Sequence, residues 1–167
     1  MTLPPLLPPI GPWSSVHPVI VHLPIGILVV SGIWVGLGVL PSAKLRALDL
    51  CGLILAWVGT IAAWVTVEAG EAAAAVAPKT DEIAAAIGRH AFLADLTRGV
   101  FAALAVLYAI VVLVPRLRKK ELPPVAHVLV RGAFGLLYLG GIILIAWTGH
   151  RGGVLVHVLG VRALIPQ

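Results

Sequence analysis

The residues of this sequence that could do chemistry are its histidines. A neutral imidazole keeps one ring-nitrogen lone pair free, and a metal ion or a haem iron binds that lone pair. The chain has one cysteine, Cys51, which excludes a disulfide framework and a thiolate metal cluster and which we interpret as an inert buried thiol. The candidate ligands are the six histidines of the chain, His17, His22, His90, His127, His150 and His157.

The composition indicates that the elements positioning these histidines lie in a membrane. Of the 167 residues, 60% are hydrophobic and 11% are charged, and the mean hydropathy is +1.06. A soluble domain carries about a quarter charged residues, so an ordinary soluble enzyme is excluded, and so is a disordered chain. The net charge of +5 does not indicate nucleic-acid binding, because the basic residues collect between apolar segments. We therefore expect a lipid bilayer as a partner, and no nucleic acid.

Four apolar stretches are long enough to cross a bilayer, which takes about 20 residues. The alternating pattern of a membrane β-barrel is absent, so the predicted fold class is all-α, a bundle of four transmembrane helices. We also expect Thr80 to cap the third helix, Pro115 to end it, and a short extracytoplasmic helix to form within residues 69–78. The four stretches are residues 17–40, 45–67, 91–114 and 125–148.

The chain divides into three segments of different character. Residues 1–16 form a proline-rich arm, residues 17–153 the four-helix transmembrane domain, and residues 154–167 an apolar C-terminal segment. This last segment is too short to span a bilayer, so we expect it at the membrane interface. No repeat of a fixed period is visible, and the four spans make one domain.

The basic residues predict the orientation of the chain. Loops rich in lysine and arginine stay on the cytoplasmic side of a membrane. The loop between the second and third spans is mostly acidic, and the tail before His17 has no charge. We therefore expect a multi-pass protein of the bacterial cytoplasmic (inner) membrane with both termini extracytoplasmic. The loop residues that decide this are Lys44, Arg46, Arg116, Arg118, Lys119 and Lys120.

In this topology, five of the six histidines lie at the outer face of the membrane. Counting 1.5 Å per residue along each helix places His22, His90 and His150 at or near the outer boundary, where helices of a bundle can build one site. A single interfacial histidine is more often structural than a ligand, but five at one face favour a ligand site. His17 is a further ligand candidate. Three arginines suited to haem propionates lie nearby, Arg89, Arg98 and Arg151.

The remaining polar residues of the inner half have simpler interpretations. His127, on the cytoplasmic side, is predicted to be interfacial. Arg131 is predicted to extend its guanidinium to the cytoplasmic headgroups. Asp49, near the inner end of the second span, could face Lys44 or Arg46.

Two segments resemble motifs of a bacterial membrane-protein family. Residues 17–26 read HPVIVHLPIG, residues 148–153 read TGHRGG, and His90 opens the third helix. In this order they resemble a family catalogued as a domain of unknown function, whose members have four predicted helices and the motifs HPxxVHFPI and GHxGG. The resemblance covers nearly the whole chain, although Leu23 stands where the family has an aromatic residue. Some similar domains are joined to or encoded beside c-type cytochromes, so the resemblance implies a haem-bearing electron carrier.

Together these patterns favour a membrane-embedded b-type cytochrome or cytochrome subunit. One or two haem b groups would be held non-covalently, because the chain has no CxxCH motif for covalent attachment. Two histidine ligands saturate the iron, which suits electron transfer rather than catalysis on a substrate. Electrons would pass between an extracytoplasmic redox partner and the quinone pool or another subunit of a larger membrane complex.

Two other interpretations stay open. A copper or zinc site would use three imidazoles with Glu68 or Asp95, although Asp95 and Arg98, three residues apart, are more typical of a structural ion pair. A structural or assembly subunit, or a small permease, would need no cofactor. A permease usually shows broken helices, and only Pro24 indicates one. The role of His157 stays open in every interpretation.

Overall fold

The computed structural model of this chain describes residues 12–161, apart from the side chains at 43, 44, 46 and 47. These residues are almost entirely helical and contain no strand. Four helical segments among them are long and apolar enough to cross a membrane, which confirms the all-α, four-span fold class. The helices are α1 (Trp13–Ile20), α2 (His22–Leu37), α3 (Ala43–Val76), α4 (Asp81–Leu117) and α5 (Pro124–His157).

The first span is built from two helices. Pro24 has no N–H to donate to the carbonyl of Ile20, so the helical hydrogen-bond pattern is interrupted where α1 meets α2. Val21, at the junction, keeps helical dihedral angles (φ −57°, ψ −27°), so the chain continues in the same direction. The interruption suggested by Pro24 therefore lies at Val21, and Trp13–Leu37 still forms one span of 25 residues.

The other helices are longer than their apolar stretches. The alanine-rich residues 69–76 continue α3 rather than forming a separate short helix, since alanine has the highest helix propensity. Pro115 lies inside α4, which ends two residues later. The predicted cap of α4 is confirmed, because the N–H of Ile83 donates to the Thr80 hydroxyl oxygen at 3.3 Å.

The last helix does not end at residue 148. α5 continues through three glycines to His157, so the expected separate C-terminal segment begins inside this helix. An unbroken helix satisfies every backbone group internally, which an apolar surrounding requires. The arm at residues 1–11 and the tail at residues 162–167 lie outside the described residues.

Two helical hairpins form the bundle. The first hairpin is the α1–α2 span packed on α3, and the second is α4 packed on α5; α3 also contacts α4, and α2 contacts α5. Large apolar side chains remain exposed on the outside of all four spans, as expected for a surface that faces lipid. The core consists of Leu28, Val35, Leu53, Ala56, Phe101, Leu104, Tyr108, Val112, Phe134, Tyr138 and Ile145.

The two ends of the bundle differ in chemistry. We call the end that contains His17, the start of α4 and the ends of α3 and α5 the histidine end. We call the opposite end, with Gly38, the α2–α3 connection and the α4–α5 connection, the basic end. Each hairpin therefore starts at the histidine end, turns at the basic end and returns.

Candidate histidine site

Two histidines from different hairpins meet at the histidine end. The imidazole of His17, on α1, lies with its ring centroid 6.4 Å from that of His90, on α4, and the two ring planes are at 80°. Both side chains are half-buried. The bundle therefore brings together two of the four predicted ligand histidines.

Each of these rings is oriented by a backbone carbonyl on the returning helix of its own hairpin. The Nδ1 atom of His17 lies 2.9 Å from the carbonyl oxygen of Thr66, and that of His90 lies 3.2 Å from the carbonyl oxygen of Thr148. A carbonyl oxygen only accepts, so both Nδ1 atoms donate. In a neutral imidazole with Nδ1 protonated, Nε2 carries the free lone pair. In both rings, Nε2 is thus the atom whose lone pair can bind a metal ion.

A glycine makes room for each ring. A Cβ atom at Gly70 would lie 3.0 Å from Cε1 of His17, and one at Gly152 would lie 3.1 Å from Cε1 of His90. Contacts this short force the ring to shift, so any larger residue would move the imidazole. The glycine comes four residues, one helical turn, after the threonine that accepts the hydrogen bond.

The second ring has a further support. The Thr148 hydroxyl lies 2.8 Å from the Thr97 hydroxyl, and its one hydrogen has two carbonyl acceptors within reach, that of Leu144 at 2.9 Å and that of Leu93 at 3.3 Å. These bonds join α4 to α5 beside His90. They hold in place the residue whose carbonyl orients the ring.

The two hairpins repeat the same contacts. His17, with Thr66 and Gly70, matches His90, with Thr148 and Gly152, at the corresponding places on the helices. Deeper in the bundle, Gly59 packs against Leu28 in the first hairpin. The matching contact in the second hairpin is Gly141 against Phe101.

An approximate two-fold arrangement follows from these contacts. A residue on the first helix of the first hairpin corresponds to the residue 73 positions later, on the first helix of the second hairpin. For the returning helices the difference is 82 positions. The matching histidine and threonine are 49 residues apart in the first hairpin and 58 in the second. Because the shift is not constant, the sequence shows no repeat of a fixed period. The returning helix of each hairpin also packs on the first helix of the other, α3 on α4 and α5 on α2.

A buried ion pair at the basic end is formed by two corresponding residues of the hairpins. Asp49 and Arg131 differ by the 82-residue shift, and their side chains meet, with Nη1 of Arg131 2.7 Å from Oδ1 of Asp49. Arg116 contacts the other carboxylate oxygen at 3.4 Å. Arg131, predicted to extend its guanidinium to the headgroups, forms this ion pair within the bundle and is 7% exposed. The side chains of the expected partners, Lys44 and Arg46, lie outside the described residues.

Other histidines lie elsewhere. His22, His150 and His157 are exposed, the first on α2 and the other two on α5. His127, predicted to be interfacial, is packed against the end of α2: it is 5% exposed, and its Nε2 atom donates to the carbonyl of Gly38 at 3.1 Å. Cys51, expected to be buried, is exposed.

The three predicted arginines fall into two groups. Arg98 is engaged by acids, at 2.8 Å from Asp95 and 3.6 Å from Glu68, so the expected pair with Asp95 is formed. The guanidinium of Arg98 also lies 4.5 Å from the centroid of Trp64. Arg89 and Arg151 instead line an open groove of about 430 Å³ between α4 and α5. The other residues of this groove are Ala85, Gly88, Phe92, Leu93 and Trp147.

The described residues offer too few clustered ligands for the copper or zinc site. Within residues 12–161, no group of three or more His, Cys, Asp and Glu side chains is placed to hold a metal ion. The described residues therefore do not bring together the three imidazoles and the carboxylate of the predicted copper or zinc site, which stays a prediction.

Comparisons add no assignment. No family model, no curated protein and no solved structure matches this chain. The resemblance to a bacterial four-helix membrane family stays a prediction.

Proposed function

We propose that this protein is a membrane-embedded b-type cytochrome, or a subunit of one, that holds haem b between its two hairpins. His17 and His90 would hold the haem iron through their Nε2 atoms. When bound, the haem supplies a one-electron redox centre. The protein's own part is to hold two neutral imidazoles in fixed orientations and to keep them in a low-dielectric surrounding.

The observation that carries the proposal is the geometry of the two imidazoles. Two rings that bind one iron, at metal–nitrogen distances near those of other imidazole complexes, have their centroids about 6 Å apart. The separation of His17 and His90 is 6.4 Å. Each Nδ1 donates to a backbone carbonyl, the second interaction that commonly fixes the tautomer of a ligating histidine. The two donors are therefore of the chemical kind that holds a haem iron.

Arginines suited to the two propionates are also present. Arg89 and Arg151 line the groove between α4 and α5 together with Phe92 and Trp147. Guanidinium groups match carboxylate geometry, so these arginines would bind propionates that extend to this groove from a haem held by the neighbouring His90. Arg98 is a weaker candidate than in the sequence-based expectation, because Asp95 and Glu68 already engage it.

The equivalence of the hairpins supports a location for a second haem. His22 and His150 occupy the positions that match Asp95 and Glu68 in the other hairpin. Arg98 bridges Asp95 and Glu68 where α3 meets α4. The contact between α2 and α5 corresponds to the contact between α4 and α3. We therefore infer that His22 and His150 lie on either side of the contact between α2 and α5, where they would hold a second haem.

The electron path follows from the proposed orientation. With the basic end in the cytoplasm of a bacterium, the histidine end is extracytoplasmic, and so are both termini. An extracytoplasmic redox partner would dock there, against the acidic residues Glu68, Glu71, Asp81 and Glu82. Electrons would pass between that partner and the quinone pool or another membrane subunit.

The test is an oxidised-minus-reduced visible spectrum of the detergent-purified protein, with metal analysis. We expect the bands of a six-coordinate b-type haem, and the loss of one haem per chain in His17→Ala and in His90→Ala. His157→Ala is the matched control, because this exposed histidine lies at the same end of the bundle. Stoichiometric copper or zinc without haem would refute the proposal in favour of the metal alternative. An unchanged haem content in both ligand variants would show that other residues ligate the haem.

A further inference from the structure

A second polar site lies at the basic end, on the opposite side of the bundle from the histidine end. A cavity of about 390 Å³ opens there between the ends of α4 and α5. Its polar wall includes Asp49, Arg131 and Arg116, and its apolar wall includes Val112 and Leu122. It lies at the level where the apolar spans end, which is the level of the phospholipid headgroups.

The cavity carries excess positive charge. The single buried carboxylate of Asp49, 1% exposed, is shared by two guanidinium groups, with Arg131 on Oδ1 and Arg116 on Oδ2. Lys119, also on the cavity wall, adds a third cation, and Glu121 adds a second acid. Three cations against two acids leave a net positive charge beside apolar walls. Lys119 and Glu121 are exposed, whereas an anion bound in the cavity would place a negative charge beside the buried guanidinium of Arg131.

Arg131 has donors available for such an anion. Its side chain is more than nine-tenths buried, and the hydrogen bonds it makes, to Asp49 at 2.7 Å and to the Gly38 carbonyl at 3.4 Å, both use Nη1. Among the described residues, Nη2 and Nε have no partner. A guanidinium has five N–H donors in a planar fork, which suits two oxygens of one oxyanion.

His127 completes the fixed part of the site. Its Nε2 atom donates to the same Gly38 carbonyl that Nη1 of Arg131 contacts. The end of α2 is thereby tied to α5, and the position of the guanidinium is set from two sides. The arginine is held ready before any ligand arrives, which lowers the entropy cost of binding.

We propose that this cavity binds a phosphate group, either the headgroup of an anionic phospholipid or free phosphate. The oxyanion would accept hydrogen bonds from Arg131 and interact with the charges of Arg116 and Lys119. Val112 and Leu122 would contact the glycerol and first acyl carbons of a lipid. Basic pockets between helices at the cytoplasmic face bind such headgroups in other membrane proteins. This proposal is independent of the haem.

The test measures lipid retention by the full chain. Protein purified from nanodiscs of phosphatidylcholine mixed with phosphatidylglycerol is analysed by native mass spectrometry. We expect one phosphatidylglycerol retained per chain. Lys119→Gln should lower its retention about fivefold, the effect of one cation near a membrane surface. Arg118→Gln is the matched control, since it removes the same charge from an adjacent, exposed position outside the cavity wall.

A second variant reaches the centre of the site and removes the Asp49–Arg131 ion pair as a whole. In Asp49→Asn combined with Arg131→Gln, both members of the ion pair become neutral together, and retention should fall at least tenfold. Protein in phosphatidylcholine alone, with and without inorganic phosphate, separates the two sources. If inorganic phosphate raises the stability of the protein as much as phosphatidylglycerol does, the site binds free phosphate.

Two results would overturn the proposal. An equal loss of retention in Arg118→Gln and Lys119→Gln would mean that diffuse surface charge, not this cavity, attracts the lipid. Unchanged retention and stability in the double variant would mean that Arg131 does not contact the anion.

Discussion

Asp49 and Arg131 occupy matching positions in the two hairpins and form an ion pair with each other, at 2.7 Å. His17 and His90, the matching pair at the opposite end, also meet, with ring centroids 6.4 Å apart. In a two-fold arrangement, matching residues meet only where they lie near the axis. The axis therefore passes through both polar sites, and side chains of both hairpins build each of them.

We expect the glycine beside His90 to control haem retention. In Gly152→Ala, the added methyl would lie 3.1 Å from the ring and would displace it from the Thr148 carbonyl. Loss of such an orienting contact lowers metal affinity roughly 10-fold or more. Gly153→Ala is the control, because nothing lies within 4 Å of its Cβ position. The haem-to-protein ratio after purification measures the effect, and equal ratios in the two variants would contradict it.

Removing one partner of the buried ion pair should destabilise the bundle strongly. Asp49→Asn leaves Arg131 with an uncompensated buried charge, at a cost of about 3–5 kcal/mol in the free energy of unfolding. Adding Arg131→Gln should recover part of this loss. Reversible unfolding in detergent mixtures, carried out as a double-mutant cycle, measures the coupling energy. Purely additive effects would show that the two side chains do not interact in the folded protein.

The threonine pair beside His90 should couple α4 to α5. Thr97→Val and Thr148→Val each remove the 2.8 Å contact between the hydroxyls. Interhelical hydrogen bonds in membranes contribute about 0.6 kcal/mol on average. We expect the double variant to be less destabilised than the sum of the single variants by about that amount. If the losses of the two single variants add up to the loss of the double variant, the two hydroxyls do not interact.

Two glycines should matter for packing, and a third should not. A Cβ atom at Gly59 would lie 2.6 Å from Leu28, and one at Gly141 would lie 3.0 Å from Phe101. Gly59→Ala and Gly141→Ala should each destabilise the protein by about 1–3 kcal/mol, as overpacking does. Gly36→Ala meets nothing within 4 Å and should cause no loss. Unfolding curves that rank Gly36→Ala with the other two would contradict this packing.

Single cysteines test the proposed orientation. In a Cys51→Ser background, Glu71→Cys, at the histidine end, should react with a membrane-impermeant maleimide in intact cells. Lys120→Cys, in the connection between α4 and α5, should react only after the membrane is permeabilised, because basic loops stay cytoplasmic. The reverse pattern would invert the topology and would place the histidine site inside the cell.

The sequence by itself determined the bilayer environment, the number of spans and the gathering of histidines toward one end. These depend on local quantities, the length of each apolar stretch and the position of a histidine along it. It also predicted the Thr80 cap, which depends on a few neighbouring residues.

Only the tertiary structure decided which histidines meet, because that depends on the rotation of each helix about its axis. His17 and His22, five residues apart, lie about 140° apart around a helix, so they face different neighbours. His150 comes two residues after Thr148 and points away from it, whereas Gly152, four residues after, shares its face. The pairing of His17 with His90 further required two hairpins to pack in register. The sequence hides that register, since the matching residues are shifted by 73 positions in one helix and by 82 in the other.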